Sequence, residues 1–555
     1  MGRRVRVLVK GFGVIEAEEG ENLGFVLARA GVMPLPCGGR GFCGKCLVWV
    51  RGSVTPPTGN EILHGVVEQG LRLACQVRLL GEVEVEPLLK TVPRVSLASI
   101  EVPLRAVERV FRVVDPEKAV ALPEPVYVHA LSCGASRRFV ELEGIGIAGS
   151  LPMGCGDDEV RVLLVDLGTT KIGWWAVDLS GGIVEEGAVH NPQMAYGADV
   201  ISRLSRALED PQAFRDMRAS LRRAVEDVAR RYRCTALCVA AGNSAITSLF
   251  VGAPLKSLAM KPYSPAFLGP FIDHLQGCAP CLVAPLIRGF VGGDALADLV
   301  AVEGMEPPTP YLVVDLGTNT ELILVKSREP PEVFVASTPA GPAFEGHLTS
   351  GSSAVTGGVF RVRLRGFAED GTPRFDIYGE PAGFTGSGVV SLVAELVRHR
   401  MLDRRGRLVK GFIREGGVKK VVVHRGSGRP LVFTQLDVRE FQKAMAAVKA
   451  GWRMLLSRAG VEVDELRRVF VAGSFGSSID PEDALLLHLV PPVERSKVVV
   501  GGNLVLPGLR LMVFSRGAYR KAMLWSRLAR HVDLAREEGF ADLWIESLEF
   551  ESAAP

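Results

Sequence analysis

The stretch Asp166-Leu-Gly-Thr-Thr-Lys171 decides the fold, because it recurs later in the chain as Asp315-Leu-Gly-Thr-Asn-Thr-Glu321. Each copy follows a short, almost uninterrupted apolar run, 160–165 in the first and 311–314 in the second. Such runs indicate buried strands. A buried strand delivers one carboxylate to a cleft, and the glycine after it lets backbone N–H groups and threonine hydroxyls approach phosphate oxygens. Two copies at domain-sized spacing indicate an internal duplication.

The two turns form the first candidate site. We expect Asp166 and Asp315 to be catalytic and to face Mg²⁺ or its water ligands, because hard cations prefer oxygen ligands. The remaining candidate phosphate and nucleotide contacts of the two turns are Gly168, Thr169, Thr170, Lys171, Gly317, Thr318, Asn319 and Glu321.

Three further glycine-rich turns follow in order: Gly341-Pro-Ala-Phe-Glu-Gly346, Gly383-Phe-Thr-Gly-Ser-Gly388 and Val469-Phe-Val-Ala-Gly-Ser-Phe-Gly476. The second precedes an apolar helix predicted over 389–397, so it is a candidate to close over a nucleotide. One glycine turn alone is most often an ordinary loop, whereas the ordered set favours a nucleotide site. The candidate contacts in the last two turns are Gly386, Ser387, Gly473, Ser474 and Gly476.

A different kind of site lies near the N-terminus, where the candidate metal ligands are Cys37, Cys43, Cys46 and Cys75. Four thiolates in this pattern suffice for a [2Fe–2S] cluster, and the glycines among them permit a tight wrap with backbone N–H groups close to the sulfides. The alternatives are a zinc site or plain buried cysteines. A zinc ribbon favours two Cys-x2-Cys pairs, and only one such pair is present here.

The composition bounds the function classes. The chain has 555 residues, 47% of them apolar and 23% charged, and a net charge of +3. This length predicts three or four domains with large cores. No polybasic run favours nucleic acid or a membrane surface as a partner, and no apolar stretch is long enough for a membrane span. The N-terminus reads as a strand and not as a signal peptide, so we expect a cytoplasmic protein.

Two resemblances follow from these motifs. Residues 1–88 resemble the β-grasp [2Fe–2S] ferredoxins, and the Cys-x5-Cys spacing matches their adrenodoxin-like branch. The whole chain resembles the reductive activators of corrinoid proteins, which join such a ferredoxin to an actin-like (ASKHA) ATPase. Besides the turns above, the matching motifs are Asn191-Pro-Gln-x2-Tyr-Gly-Ala-Asp199, Gly242-Asn243 and Val291-Gly-Gly-Asp294. Thr385 stands where a cysteine is usual in that family.

The resemblance implies an α/β multidomain protein with three parts. These are a β-grasp ferredoxin domain over 1–88, a linker with a small middle module over 89–158, and a duplicated RNase H-like ATPase domain of the actin/sugar-kinase/chaperone type over 159–555. The lobes of the ATPase domain are expected at about 159–308 and 309–510, with C-terminal helices over 511–555.

The resemblance also implies an activity. Activators of this family hold a [2Fe–2S] cluster, ATP and Mg²⁺, and use ATP to reduce the Co(II) corrinoid of a methyl-transferring protein to Co(I). The expected partners are a corrinoid protein, either the iron–sulfur or the methyltransferase kind, a low-potential electron donor and a second copy of the chain in a homodimer. Neither nucleic acid nor a membrane is expected.

Three alternatives stay open. The second-ranked interpretation is an activator of another low-potential or radical enzyme. Such activators, however, share a [4Fe–4S] cluster across a dimer and lack a ferredoxin domain. A small-molecule kinase with a tethered ferredoxin would need a substrate pocket and a base that the sequence does not assign. A cytoskeletal or scaffold actin homologue would not need the cluster.

The remaining cysteines are expected to be inert. Cys133 and Cys155 read as ordinary thiols in a reducing compartment. Cys278-Ala-Pro-Cys281 is read as a local disulfide or plain thiols, with a redox dithiol or half a metal site with Cys234 and Cys238 as the alternatives.

Overall fold

A computed structural model shows how these motifs are arranged. The structure describes residues 3–30, 32–33, 35, 39, 41, 46–63, 66–88, 99–114, 137–143, 146–197, 199–261, 263–275, 279–345, 348–350, 358–379, 381, 383–425, 430–473 and 478–551.

The N-terminal unit is a small sheet crossed by one helix. Its elements are β1 (Arg4–Val9), β2 (Gly13–Glu18), α1 (Leu23–Arg29), β3 (Leu47–Val54), α2 (Gly59–Leu63), β4 (Arg72–Leu73) and β5 (Leu79–Pro87), with 3-10 turns at Val67–Gln69 and Ala74–Gln76. The strand order is β2-β1-β5-β3-β4, with β1 parallel to β5. Strict alternation of exposed and buried residues along β1 turns one face of the sheet toward α1. The β-grasp prediction is confirmed.

The connecting region forms a second, smaller sheet. Its strands are β6 (Phe111–Val114), β7 (Arg137–Leu142) and β8 (Gly146–Pro152), and they pair in the antiparallel sense in the order β6-β7-β8. The chain before β6 hydrogen-bonds to the far end of the molecule, where Ile100 N donates to Gly501 O at 3.0 Å and Val110 N donates to Val513 O at 2.9 Å. The linker is therefore packed against the C-terminal half of the chain.

The first half of the large domain is built on six strands in the order β11-β10-β9-β12-β14-β13. The elements are β9 (Arg161–Leu167), β10 (Lys171–Val177), β11 (Ile183–His190), a 3-10 turn (Pro192–Ala195), α3 (Val200–Glu209), α4 (Pro211–Ala229), β12 (Thr235–Gly242), α5 (Ser244–Val251), α6 (Lys256–Ala259), β13 (Phe271–His274), β14 (Pro280–Val283) and α7 (Gly293–Gly304). β9, β10 and β11 are antiparallel neighbours, whereas β12 runs parallel to β9 and β14 parallel to β12.

The second half repeats this plan. Its elements are β15 (Tyr311–Leu316), β16 (Thr320–Arg328), β17 (Pro331–Thr338), β18 (Arg361–Phe367), β19 (Pro373–Tyr378), α8 (Gly386–Arg398), β20 (Ile413–Glu415), β21 (Val418–His424), β22 (Leu431–Thr434), α9 (Gln435–Ala459), β23 (Arg468–Ala472), α10 (Pro481–Leu486), β24 (Val498–Gly502), α11 (Val505–Phe514), α12 (Arg516–Leu528), β25 (Arg530–His531) and α13 (Phe540–Glu546), with 3-10 turns at Pro342–Glu345, Val463–Glu465 and Arg495–Lys497. The sheet order is β24-β23-β15-β16-β17-β25.

Five strands of each sheet correspond, which confirms the duplicated actin-type fold, whereas β13 and β25 lie at opposite edges of their sheets. β15, β16 and β17 are antiparallel neighbours like β9, β10 and β11, and the parallel pairs β15–β23 and β23–β24 match β9–β12 and β12–β14. The helices that follow, α7 and α11, pack against each other between the halves. Their backbones approach so closely that a Cβ on Gly508 would lie 1.9 Å from Ala297 O. These two helices form the central seam of the large domain.

The C-terminal region contains more than helices. β25 adds a parallel strand to the edge of the second sheet, where Phe334 and Arg530 are register partners. α11 begins at Val505, before the expected lobe boundary at 510. The last described residues return to α9, because Glu551 pairs with Lys449, whose side chain is 2% exposed.

The prediction for Cys155 is wrong. Cys155 forms a disulfide with Cys234, which ties the end of the small sheet to the start of β12 across a Cα–Cα distance of 5.7 Å. Sequence spacing gave no signal for this pair, because only the fold brings positions 79 residues apart together. Cys238 and Cys281 are fully buried register partners on β12 and β14, and Cys238 and burial together hold the pKa of Cys281 well above its usual value. Cys133 and Cys278 lie outside the described residues.

No helix in the part of the chain that the structure describes is long and apolar enough to cross a bilayer.

Candidate functional site

The two Asp-Leu-Gly-Thr turns are tight hairpins at matching places in the two sheets. Asp166 is the penultimate residue of β9 and lies beside Ala241 of the parallel strand β12, just as Asp315 is the penultimate residue of β15 and lies beside Ala472 of β23. Both carboxylates therefore project at the carboxyl edge of their sheet. Both residues keep partial solvent exposure, which a ligand for a bound cation requires.

The carboxylate of one half is contacted from the other half. Gly292-Gly293-Asp294 stands at the start of α7, and Gly501-Gly502-Asn503 covers the end of β24 and the residue after it, shortly before α11. Asn503 Nδ2 donates to Asp166 Oδ2 at 2.8 Å. In the reciprocal relation, Asp298 on α7 lies close enough to Asp315 for the two carboxyl groups to affect each other's pKa.

Five carboxyl groups lie at this site, and the surrounding protein raises the pKa of each because it largely shields the group from water. They belong to Asp166, Asp294, Asp298, Asp315 and Glu321. Burial raises the pKa of Asp166 to about 7, and Asn503 opposes the shift while Asp315 adds to it. Burial raises the pKa of Asp294 to about 8 and that of Asp315 to about 6. For Asp298 and Glu321, burial and then neighbouring aspartates hold the pKa well above the usual value. So many carboxyl groups in one place fit a site that takes up positive charge.

The donor set fits Mg²⁺ bound together with phosphates better than an ion held by protein alone. Within the described ranges, no three His, Cys, Asp or Glu side chains are placed to enclose a metal ion by themselves. Mg²⁺ commonly takes one or two carboxylates and completes its shell with water and substrate phosphates. Asp166 and Asp315 stay the predicted carboxylates for that arrangement.

Two glycines are required by the closeness of the backbone here. A Cβ on Gly168 would lie 2.5 Å from Lys171 O across the first hairpin. Gly473 has φ +105°, and a Cβ there would lie 2.4 Å from Leu316 O and 2.8 Å from a carboxylate oxygen of Asp315. Any side chain at Gly473 would therefore press on the second hairpin and its aspartate.

The residues that directly follow β11 and β12 hold the rest of the first turn. Asn243 caps α5 by accepting from Ala245 N and Ile246 N, and its Nδ2 lies 3.5 Å from Thr169 Oγ1. Thr170 O accepts from Asn191 N at 3.0 Å. Thr169, Thr170 and Lys171 are all partly exposed and so remain accessible to a ligand.

The second turn is joined to the glycine-rich turn at 341. Gly341 N donates to Thr318 O at 2.9 Å, and Ser337 Oγ donates to the buried Glu321 at 3.3 Å. Thr318 is buried, whereas Gly317 and Asn319 are partly exposed.

Gly386 and Ser387 form the buried first turn of α8. Thr385 caps this helix by accepting from Gly388 N at 3.3 Å, and its hydroxyl lies 3.1 Å from Ser387 Oγ. The residue that departs from the family pattern therefore serves as the N-cap. Ser474 and Gly476 lie outside the described residues.

Sequence reasoning missed three members of the site: Asp298, Asn503 and the role of Asp294. A signal for two of them was present, because Gly-Gly-Asp and Gly-Gly-Asn both occur close to the start of a helix, α7 in the first half and α11 in the second. Asp298 follows Asp294 by one helical turn, which places both on one face of α7.

The ferredoxin unit brings its described cysteines together. Cys46 and Cys75 are buried, and Cys75 N donates to Cys46 Sγ at 3.5 Å. Gln76 Nε2 lies 3.6 Å from Cys75 Sγ. Adjacent thiols that receive N–H groups fit the surroundings of an iron–sulfur cluster. Cys37 and Cys43 lie outside the described residues, so their part in the site stays a prediction.

The comparisons with known proteins agree with this geometry. Residues 309–554 match the family model of the C-terminal domain of RACo, the ASKHA domain; residues 162–306 match the RACo middle region; and residues 9–80 match the 2Fe-2S iron-sulfur cluster binding domain.

The chain is also similar to proteins named as corrinoid activators or reductases. It is 27% identical over 570 residues to the corrinoid activation enzyme RamQ of Eubacterium limosum, covering 92% of this chain and 93% of the relative. It is 27% identical over 300 residues to the [Co(II) methylated amine-specific corrinoid protein] reductase of Methanosarcina barkeri, covering 50% and 52% of the two chains. A solved structure, the reductive activator for corrinoid, iron-sulfur protein, superposes with a TM-score of 0.68 at 23% identity over 98% of both chains.

Proposed function

We infer that this chain, which belongs to the family of the RACo reductive activators, is an ATP-dependent enzyme that passes an electron from its [2Fe–2S] cluster to the Co(II) corrinoid of a partner protein and regenerates Co(I). One observation carries the inference. A ferredoxin unit and a duplicated phosphate-binding cleft occur in one chain, and this combination extends over nearly the full length of a corrinoid activation enzyme.

The cluster supplies a one-electron carrier. Plant-type [2Fe–2S] centres have potentials near about −400 mV. Reduction of Co(II) to Co(I) in a corrinoid lies at very low potential, and each ~59 mV of unfavourable one-electron gap costs a factor of ten in the equilibrium. The electron therefore has to be driven by another source of free energy.

ATP provides that source if it favours one conformation of the complex over another. We propose that the phosphates lie between the two Asp-Leu-Gly-Thr turns, with Asp166 and Asp315 directed at Mg²⁺ or its waters. Because Asn503 contacts Asp166 and Asp298 contacts Asp315, nucleotide binding acts on residues from both sides of the α7–α11 seam. A two-lobed ATPase that closes about this seam is a suitable device for coupling hydrolysis to movement.

The finer assignments are also proposals. The partner is a corrinoid protein, the electron donor is a low-potential reductant, and the enzyme acts as a homodimer in the cytoplasm, where ATP is available. A small-molecule kinase and an activator of another radical enzyme are not favoured, because the full-length relative is a corrinoid activation enzyme.

The test is spectroscopic. The anaerobically purified protein, dithionite and Mg-ATP are mixed with a Co(II) corrinoid protein, and the Co(I) absorbance is followed. We expect Co(I) to accumulate only when cluster and ATP are both present. Cys46→Ser should abolish Co(I) formation while nucleotide binding persists, and Asp315→Asn should abolish it while the cluster spectrum persists. Failure to form Co(I) with corrinoid proteins of both the iron–sulfur and the methyltransferase kind would contradict the proposal.

A further inference from the structure

The motif Asn191–Tyr196 connects the first phosphate turn to the ferredoxin unit. At the N-terminal end of the motif, Asn191 Nδ2 donates to Gly168 O at 2.8 Å and Asn191 N donates to Thr170 O at 3.0 Å. Asn191 is 1% exposed, so these bonds are shielded from water. Two carbonyls of the phosphate turn are therefore fixed by a single residue.

Asn191 also caps the 3-10 turn that follows it in the chain. Asn191 Oδ1 accepts from Gln193 N at 2.9 Å and caps the 3-10 turn Pro192–Ala195. Gln193 is fully buried and its Nε2 lies 3.4 Å from Met217 O of α4. A displacement of Asn191 is thus transmitted to a short rigid turn and not absorbed by a loop.

The C-terminal end of this 3-10 turn packs against the ferredoxin unit. Ala195, 2% exposed, belongs to the apolar core of the ferredoxin unit, and Tyr196 packs against that core. The turn contacts α1, the helix that crosses the ferredoxin sheet. Burial raises the pKa of Tyr196, Asp216 of α4 adds to the shift, and Arg29 of α1 opposes it, so this tyrosine lies between the two domains.

α1 also contacts Cys75, a predicted cluster ligand. Asn22, the N-cap of α1, donates through Nδ2 to Cys75 O at 2.8 Å. A Cβ on Gly24 would lie 2.7 Å from both Cα and N of Cys75. α1 cannot shift against Cys75 without breaking these contacts. An unbroken series of packed groups therefore runs from Gly168 to Cys75.

We propose that Asn191 and Tyr196 are positioning residues, through which a nucleotide at the Gly168 turn fixes the placement of α1 and hence of the cluster relative to the ATPase domain. The proposal rests on the proposed function in one respect, since it requires a nucleotide phosphate at this turn. When phosphate draws the Gly168 turn into one conformation, its carbonyls hold Asn191 more firmly, and the ferredoxin unit docks more stably. Such coupling is reciprocal, so docking also strengthens nucleotide binding.

If the motif has only a structural role, it holds the two domains together in the same way with and without nucleotide. The two roles are separated by hydrogen exchange of the amides of α1, measured on the full-length protein with its cluster, with and without Mg²⁺ and the non-hydrolysable analogue AMPPNP. No corrinoid protein is needed. We expect AMPPNP to slow exchange in α1 about fivefold in the unmodified protein, at the lower end of typical coupling energies.

Asn191→Asp removes one contact selectively. The carboxylate still accepts from Gln193 N and caps the turn, whereas it has no N–H to donate to Gly168 O. We expect the response of α1 to AMPPNP to disappear while the cluster spectrum is retained. Asn191→Ala adds no charge near the phosphates and should have the same effect. If the response of α1 is lost in Asn191→Asp and retained in Asn191→Ala, the added charge is the cause and the proposal is wrong.

The ferredoxin side is tested by Tyr196→Phe and Tyr196→Ala. The phenylalanine keeps the packed ring and should retain the response, whereas the alanine should lose it and weaken AMPPNP binding about fivefold. The controls are Ile201→Ala on α3 and Leu8→Ala on β1, which replace exposed apolar side chains. Both controls should respond as the unmodified protein does.

The outcomes separate this proposal from the proposed function. If AMPPNP binds and α1 does not respond, the positioning role is wrong and the reductive activity is unaffected. If AMPPNP does not bind at all, both are wrong. An equal response in Tyr196→Ala and Tyr196→Phe would likewise overturn the role of the ring.

Discussion

Asn503 donates a hydrogen bond to Asp166 at 2.8 Å, although the two residues lie 337 positions apart. Asn503 precedes α11 in the second half of the duplication, and Asp166 is the penultimate residue of β9, the first strand of the first half. The amide stabilises the ionised form of a carboxyl whose burial favours the neutral form. This hydrogen bond therefore affects the pH range in which Asp166 is ionised and able to bind a cation.

Asn503→Ala should move the acidic limb of the ATPase pH profile to higher pH. The pKa of Asp166 is already raised to about 7, and loss of a hydrogen bond to a charged group, worth about 1.5–3 kcal/mol, raises it further by roughly one to two units. The measurement is kcat/KM against pH, which reports groups of the free enzyme. Activity should recover toward the parent value at alkaline pH. An equal loss at every pH would contradict this mechanism.

The carboxyl group at Asp294 should make the nucleotide-free protein less stable as pH rises. Its pKa is raised from 3.8 to about 8, mainly by burial, so between these values the folded state binds a proton that the unfolded state has released. Stability from this group is complete at low pH and is lost as pH rises toward 8. Asp294→Asn removes the contribution.

The comparison is the Tm difference between Asp294→Asn and the parent protein from pH 5.5 to 8.5. We expect the variant to gain stability relative to the parent as pH rises. The difference should shrink when Mg²⁺ and AMPPNP are bound, because positive charge then favours the ionised carboxyl. A difference that is constant with pH would show that Asp294 does not titrate in this range.

Loss of the Cys155–Cys234 disulfide should destabilise the protein by about 2–5 kcal/mol, because the bond closes a long loop in the unfolded chain. The measurements are peptide mapping without reductant, which should find the two cysteines linked, and Tm with and without reductant. The Tm of Cys155→Ala should not respond to reductant, whereas that of the parent should fall. Recovery of both cysteines as thiols from oxidant-free preparations would contradict the prediction.

Glu551→Gln should lower stability by about 1–3 kcal/mol, because it leaves the ammonium group of Lys449, whose side chain is 2% exposed, without its charged partner. Glu549→Gln is the matched control on the same segment. Its partner Arg404 is 65% exposed, and exposed pairs contribute about 1 kcal/mol or less. Chemical denaturation of both variants gives the comparison, and equal losses would show that burial of Lys449 is not the cause.

The fold was predictable where the sequence carries local signals. Apolar runs followed by Asp166 and Asp315 located the first strand of each half. Contacts between distant segments were not predictable, because nothing local requires them. The bond from Asn503 to Asp166 and the disulfide at Cys155 depend on how the two halves and the small sheet pack. The ligand and nucleotide assignments that no contact tests, including Ser474 and Gly476, stay predictions.

The helix α1 has a consequence for module exchange. A domain with its own core is commonly transferable between proteins. Here α1 packs both against Cys75 and against the turn Pro192–Ala195, which precedes Tyr196. A chimaera that carries a foreign ferredoxin would keep its cluster and lose the surface that receives the ATPase domain. The two parts of this enzyme are therefore expected to be inherited as a matched pair, and a transplant that preserves function has to bring the Asn191–Tyr196 motif along with the helix.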